Sequence, residues 1–165
     1  MVQIALAKSD AEIARCFPIM QQLRPHLIET DFTTRVRRQE QQGYCLVYLE
    51  DEENIKAVAG FRISESLSWG KFLYVDDLIV SLEHRSQGYG QALLQWVINY
   101  AKSHDCQQLH LDSGVQRFAA HRFYFQQKLE IRAYHFAIDI RFLLAAEPMG
   151  VAPEDRIVYE DSDLD

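Results

Sequence analysis

Cysteine is scarce in this chain: Cys16, Cys45 and Cys106 are the only three in 165 residues, an odd number without paired spacing. That pattern excludes a disulfide framework and a cysteine-built zinc site. Long apolar runs are also missing, and nothing approaches the roughly 20 residues that a spanning helix needs. No membrane partner is expected. The N-terminus lacks the charged, apolar and small-residue order of a signal peptide, so a cytoplasmic, reducing location is the expectation. His121 and His135 have no Cys or carboxylate neighbours at ligand spacing, and no metal is expected. Neither a G-x-S-x-G elbow nor an H-E-x-x-H helix is present.

A basic patch is missing too. The formal net charge is −7, but its distribution matters more than its size. From Glu147 onward there are seven acids and one base, whereas residues 1–146 hold 17 acids and 16 bases. A neutral body with an acidic tail has no electrostatic footprint for nucleic acid. The sequence shows no internal repeat. With 48% apolar residues, it reads as one folded domain over 1–146 and a loosely held acidic tail over 147–165.

Hydrophobic periodicity supplies the elements. Residues 2–7 read as a strand, and Ser9 with Glu12 as a capping box opening a helix. Pro18 predicts a kink or an early end to that helix. Residues 23–32 read as a loop, because Arg24 precedes a proline, and a second helix follows over about 32–42. Its Arg35, Arg37 and Arg38 suit either an anionic substrate or a solvated helix face. Residues 44–50, 55–64 and 71–80 form an antiparallel meander. A helix then carries Leu93, Leu94, Val97, Ile98 and Ala101 on one stripe. Residues 107–112 read as a strand, 116–127 as a helix and 131–140 as a closing strand.

Between strand 71–80 and its helix lies "EHRSQGYGQ", residues 83–91. Glycines in a helix's first turn lower its stability, so Gly88 and Gly90 need a reason. A strand, a glycine turn and a helix N-terminus together make a physical anion site, with Arg85 adding charge at the same mouth. An ordinary strand-to-helix turn explains the glycines equally well on spacing alone. The P-loop pattern fails, since no Gly-Lys-Ser/Thr follows. The dinucleotide fingerprint is half met, with Leu93 in the third glycine's place and Asp112 where a ribose-binding acid would lie.

The stretch 76–94, with Arg85, Gly88 and Gly90 in place, resembles the central Q/R-x-x-G-x-G/A motif of the GNAT superfamily of N-acetyltransferases. Residues 119–127, "AAHRFYFQQ", are similar to that family's second signature, an aromatic pair late in a helix. The segment order matches over about residues 1–140, with the specific motifs confined to 72–128. The resemblance implies an α/β chain of α+β type: a twisted, mostly antiparallel mixed sheet of about 6–7 strands, flanked by about four helices. It also implies transfer of an acetyl group from acetyl-CoA, as co-substrate, directly to a primary amine on a small molecule or peptide. A homodimer is compatible with the sequence, which shows no signal for one.

Carried over residue by residue, the resemblance assigns Leu78, Ile79 and Val80 backbone to the pantetheine arm. It assigns the N–H groups of Ser86, Gln87, Gly88, Tyr89, Gly90 and Gln91 to the pyrophosphate. Tyr124 matches the general acid for the departing thiolate, and a phenol suits that role because it is protonated at neutral pH. Tyr124 as a core aromatic beside Phe123 is the other reading. The acceptor amine must lose a proton before attack. Asp77, Asp76 and Asp112 are the candidate bases, with Asp77 ranked first; residues adjacent in a strand face opposite sides, so only one of the first two should face the cleft. All three also suit structural roles, Asp112 as a helix cap. Arg117 stands where many relatives carry an Asn touching the CoA arm, and Glu130-Ile131 where most have Gly-Phe. In this family the segment over 23–32 shapes the acceptor site, making Arg24, His26, Glu29 and Asp31 candidate lining residues. Two rivals stay open: a non-catalytic CoA-binding sensor of the same fold, and a dinucleotide-binding domain.

Overall fold

Ser9 opens the first helix as the sequence implies. Its Oγ accepts from the Glu12 N–H at 3.2 Å, and Glu12 Oε2 accepts from the Ser9 N–H at 2.7 Å, a reciprocal capping box. The computed structural model describes residues 1–141. The chain divides into two units, Met1–Glu130 and Ile131–Asp165.

In the first unit, strand β1 (Gln3–Leu6) precedes helices α1 (Asp10–Leu23) and α2 (Glu29–Glu40). Strands β2 (Tyr44–Asp51), β3 (Asn54–Ser66) and β4 (Gly70–Val80) follow, then α3 (Tyr89–Ser103), β5 (Gln108–Leu111) and α4 (Phe118–Gln126). The sheet order is β1-β2-β3-β4-β5. The first four strands pair antiparallel, and β5 joins β4 in parallel.

Side-chain alternation gives the sheet two apolar faces. Leu46, Tyr48 and Val58 pack with Ile13, Phe17 and Met20 of α1 and with Phe32 and Val36 of α2. Val47, Leu49, Ala57, Ala59 and Phe61 pack with Leu93, Val97 and Ala101 of α3.

Three expectations are corrected here. Pro18 does not end α1, which runs on to Leu23. Burial of Phe17, Ile19 and Met20 holds the helix through the backbone bond that proline forfeits. Helix α2 starts at Glu29, earlier than expected, with Glu29 and Asp31 in its first turn and Arg37 and Arg38 in its last. That placement suits the helix dipole. In the second unit, residues 131–141 hold no strand, so the sheet has five strands among the described residues instead of six or seven. Alternation in 131–140 marks strand-competent backbone, but a strand exists only within a ladder; Tyr134, Phe136, Ile138 and Ile140 stay exposed. The expected acidic tail over 147–165 lies outside the described residues.

Candidate active site

The register of β4 against β3 slips at one place: Gly60 pairs with Asp77 and Phe61 with Val75, leaving Asp76 as the extra residue of a β-bulge. The slip reverses the side-chain alternation. Leu73 and Val75 before it face α3, as do Leu78 and Val80 after it, while Ile79 faces α1 and α2. Asp76 and Asp77 thus share one face, where plain alternation would have separated them. Both line a cavity of about 1190 Å³ that also takes in Arg24, Tyr44, Leu78, Asp112, Arg117 and Tyr124.

Each carboxylate has a cation. Arg24, the C-cap of α1, donates from Nε to Asp77 Oδ1 at 2.8 Å and from Nη2 to the Asp76 carbonyl at 3.0 Å. Arg62 of β3 donates to Asp76 Oδ2 at 2.7 Å and to Gln39 Oε1 of α2 at 3.0 Å. The other Asp77 oxygen accepts from the Tyr44 hydroxyl at 3.0 Å. Burial first, and the neighbouring Asp77 second, push the Tyr44 phenol well above its ordinary range, so it stays a donor. Asp112 accepts from the Tyr74 hydroxyl, which ties β4 to the end of β5.

The bulge also marks the end of one ladder. Pairing of β4 with β5 runs from Phe72↔Gln108 to Val75↔Leu111, whereas pairing with β3 continues to Val80↔Ala57. From Asp76 to Val80 no described strand pairs with the β5-side edge of β4, which is open among the described residues. An open edge presents main-chain donors and acceptors to an extended ligand.

That edge leads straight into the glycine turn. After the 3₁₀ turn Leu82–His84, Ser86 has φ +62° and Gly88 φ +85°. Two left-handed residues so close together bend the chain sharply, and Ser86 accepts the cost of that conformation without being glycine. Gly88 is the N-cap of α3 and no side chain caps the helix. The first intrahelical bond is Ala92 N–H to the Gly88 carbonyl at 3.0 Å, so the N–H groups of Tyr89, Gly90 and Gln91 have no helical partner. Arg85, Ser86, Gln87, Gly88 and Gln91 are exposed. The two glycines serve different needs. A Cβ on Gly88 would meet nothing within 4 Å, so its requirement is the positive φ; one on Gly90 would lie 3.2 Å from Val80 Cγ2 and 3.6 Å from the Phe123 ring. The Tyr89 hydroxyl donates to Asp51 Oδ2 at 3.0 Å, which turns that side chain away and leaves its backbone to the turn.

Tyr124 is half-buried on α4 with its ring 5.5 Å from that of Phe123. Burial raises its pKa, with Arg117 opposing. Arg117, at the N-cap of α4, is exposed and lines the same cavity. Of the segment 23–32, Arg24 and His26 line the cavity, whereas Glu29 and Asp31 sit in the first turn of α2. Tyr44 and Arg62 were not identified from the sequence. One signal was available: Gly60 lies inside a strand, and a Cβ there would fall 1.9 Å from Tyr44 Oη. An isolated glycine within a strand marks such a close approach.

Among the described residues no group of three or more His, Cys, Asp or Glu stands ready for a metal ion, and no helix is long and apolar enough to cross a membrane. The profile of the acetyltransferase (GNAT) family matches residues 11–129. An uncharacterized N-acetyltransferase of Bacillus subtilis, YhdJ, is 34% identical over 128 residues, covering 75% of this chain and 88% of the relative. Among solved structures, an acetyltransferase from Trypanosoma brucei superposes with TM-score 0.70 at 16% identity, covering 84% of this chain and 99% of that one. A transcriptional regulator from Bacillus halodurans gives TM-score 0.74 at 18% identity, with 84% and 99% covered.

Proposed function

The chain belongs to the GNAT acetyltransferase family, and from that premise we propose that it moves an acetyl group from acetyl-CoA to a primary amine by direct transfer in a ternary complex. One observation carries this reading: the open β4 edge over 76–80 runs into an uncapped, glycine-opened helix N-terminus, while Leu78, Asp76, Asp77 and Tyr124 line one cavity.

Those features fit the co-substrate. The edge at Leu78, Ile79 and Val80 offers main-chain pairing to an amide-bearing arm. The backbone N–H groups from Ser86 to Gln91, at an uncapped helix start with Arg85 nearby in sequence, offer donors and partial positive charge to a pyrophosphate. When bound, acetyl-CoA supplies an activated thioester carbonyl. A backbone N–H near Leu78 would polarise that carbonyl as negative charge develops. Tyr124, kept protonated by burial, donates its proton as the thiolate leaves. Holding amine and thioester together supplies much of the rate.

Proton removal from the acceptor falls to Asp77. It is the less exposed carboxylate, at 14%, and its partner Arg24 is 44% exposed. An acceptor ammonium can take Arg24's place at Oδ1, with Tyr44 holding Oδ2. Asp76 stays with Arg62, and Asp112 with Tyr74.

Two-substrate initial rates test the reading. Intersecting double-reciprocal lines for acetyl-CoA and amine support direct transfer; parallel lines point to an acetylated enzyme instead. Acetyl-CoA binding with no turnover on any amine favours a non-catalytic sensor, and NAD competing for the same site favours the dinucleotide reading.

A further inference from the structure

Helix α2 carries three arginines with different fates. Arg37 is consumed by the fold: it donates to Asp10 Oδ1, Glu40 Oε2 and the Lys8 carbonyl, each at 2.8 Å. Arg35 and Arg38, one turn apart, face the cavity together with Gln39 and Gln42. Neither forms an ion pair or hydrogen bond with the described residues. Like charges one turn apart on a helix repel, and no ion pair with a described residue offsets that repulsion.

The charge of the cavity wall gives the pair its meaning. The lining holds five arginines, three aspartates and no lysine or glutamate. Arg24 and Arg62 are matched by Asp77 and Asp76, and Asp112 is engaged by the Tyr74 hydroxyl. Arg35 and Arg38 on α2 and Arg117 at the start of α4 remain as cavity-lining cations without a carboxylate partner among the described residues. They also stand apart from the phosphate turn: residues 81–91 do not line this cavity, and the turn follows Val80 at the far end of β4. The cavity lining therefore carries an excess of positive charge, two of its unmatched guanidinium groups lying on α2, while its β4 carboxylates are each paired.

We propose that Arg35 and Arg38 bind an anionic group, a carboxylate or a phosphate, on the amine acceptor, whose ammonium sits at Asp77. The inference rests on the acetyltransferase reading of the cavity and narrows its substrate class. Guanidinium forks match the geometry of both anions and remain charged at every relevant pH. Simple diamines and polyamines are thereby disfavoured, because their second cation would face Arg35 and Arg38.

The test uses matched amines and the full chain. Protein saturated with CoA is titrated calorimetrically with L-lysine against cadaverine, and with glucosamine 6-phosphate against glucosamine. The anionic member of at least one pair should bind at least about 10-fold more tightly than its partner, and the favoured pair identifies carboxylate or phosphate. Arg35→Gln and Arg38→Gln, both at exposed positions, should each erase most of that preference. They should not lower the thermal midpoint, since each relieves the repulsion between the pair, and they should leave the acetyl-CoA Kd unchanged. In turnover the loss should fall on the acceptor KM rather than on kcat. Equal binding within both pairs, binding of no anionic member, or weakened acetyl-CoA binding in the arginine variants overturns the proposal. A protein that fails to bind acetyl-CoA at all overturns the acetyltransferase reading beneath it, which is a separate result.

Discussion

The Tyr44 hydroxyl reaches Asp77 across the bare backbone of Gly60, the residue paired with Asp77 in the β3–β4 ladder. Three residues on three strands thereby fix one carboxylate oxygen and leave the other to Arg24. The β-bulge at Asp76 makes this possible, because it turns Asp77 toward the face where Tyr44 lies.

Gly60→Ala should be destabilising, since its Cβ would lie 1.9 Å from Tyr44 Oη and 2.3 Å from Cζ. Overpacking of this kind costs about 1–3 kcal/mol. Urea denaturation should show a lower midpoint with an unchanged slope. A wild-type midpoint would mean that Tyr44 can leave its place freely.

Tyr124→Phe should lower kcat by about 10²–10⁴-fold, the range for loss of a positioned general acid, with acetyl-CoA binding intact. The acid must be protonated, and burial raises this phenol above its ordinary value of 10.0. The wild-type rate should therefore show no loss from Tyr124 ionisation as pH rises toward 10. Steady-state kinetics of both proteins across pH 6–10 check this; an equal kcat contradicts the role.

Gly88→Ala forces a Cβ into a backbone with φ +85°, at about 1–2 kcal/mol. The added methyl meets no neighbour within 4 Å, so the cost is conformational. The outcome expected is a modest fall in thermal midpoint together with a raised acetyl-CoA Kd, while the Kd for pantetheine, which lacks the pyrophosphate, stays unchanged.

Glu12 gives a pH signature. Its carboxylate accepts from Ser9 and Lys8, and these bonds, Ser9's first, lower its pKa from 4.5 to about 2. A depressed folded-state pKa stabilises the native state above the unfolded value and loses that contribution as pH falls toward about 2. Glu12→Gln should lower the thermal midpoint at pH 6, and the gap to wild type should close between pH 4.5 and 2. A pH-independent gap would assign the effect to packing.

Much of the fold could be read in the sequence because local rules governed it. The Ser9–Glu12 box, the meander and the α3 stripe each follow from spacing that tertiary structure did not override. The glycine turn was legible for the same reason: positive φ and an uncapped helix start are local. The bulge at Asp76 was not, since a register slip depends on how two strands pair and leaves no mark in either alone. Missing it led to the expectation that only one of Asp76 and Asp77 faces the cleft. The early end offered as one outcome at Pro18 did not occur, because burial of its neighbours outweighed one lost hydrogen bond. The division of labour among Arg35, Arg37 and Arg38 required knowing which helix face meets the cavity, and periodicity alone assigns no partner to a polar face.

The central claim is that the β4 edge and the glycine turn hold acetyl-CoA. A calorimetric titration of the folded, CoA-free protein with acetyl-CoA tests it most directly, run alongside Gly88→Ala. The account predicts saturable one-to-one binding that weakens in the variant. Absence of binding to the wild-type protein would contradict it.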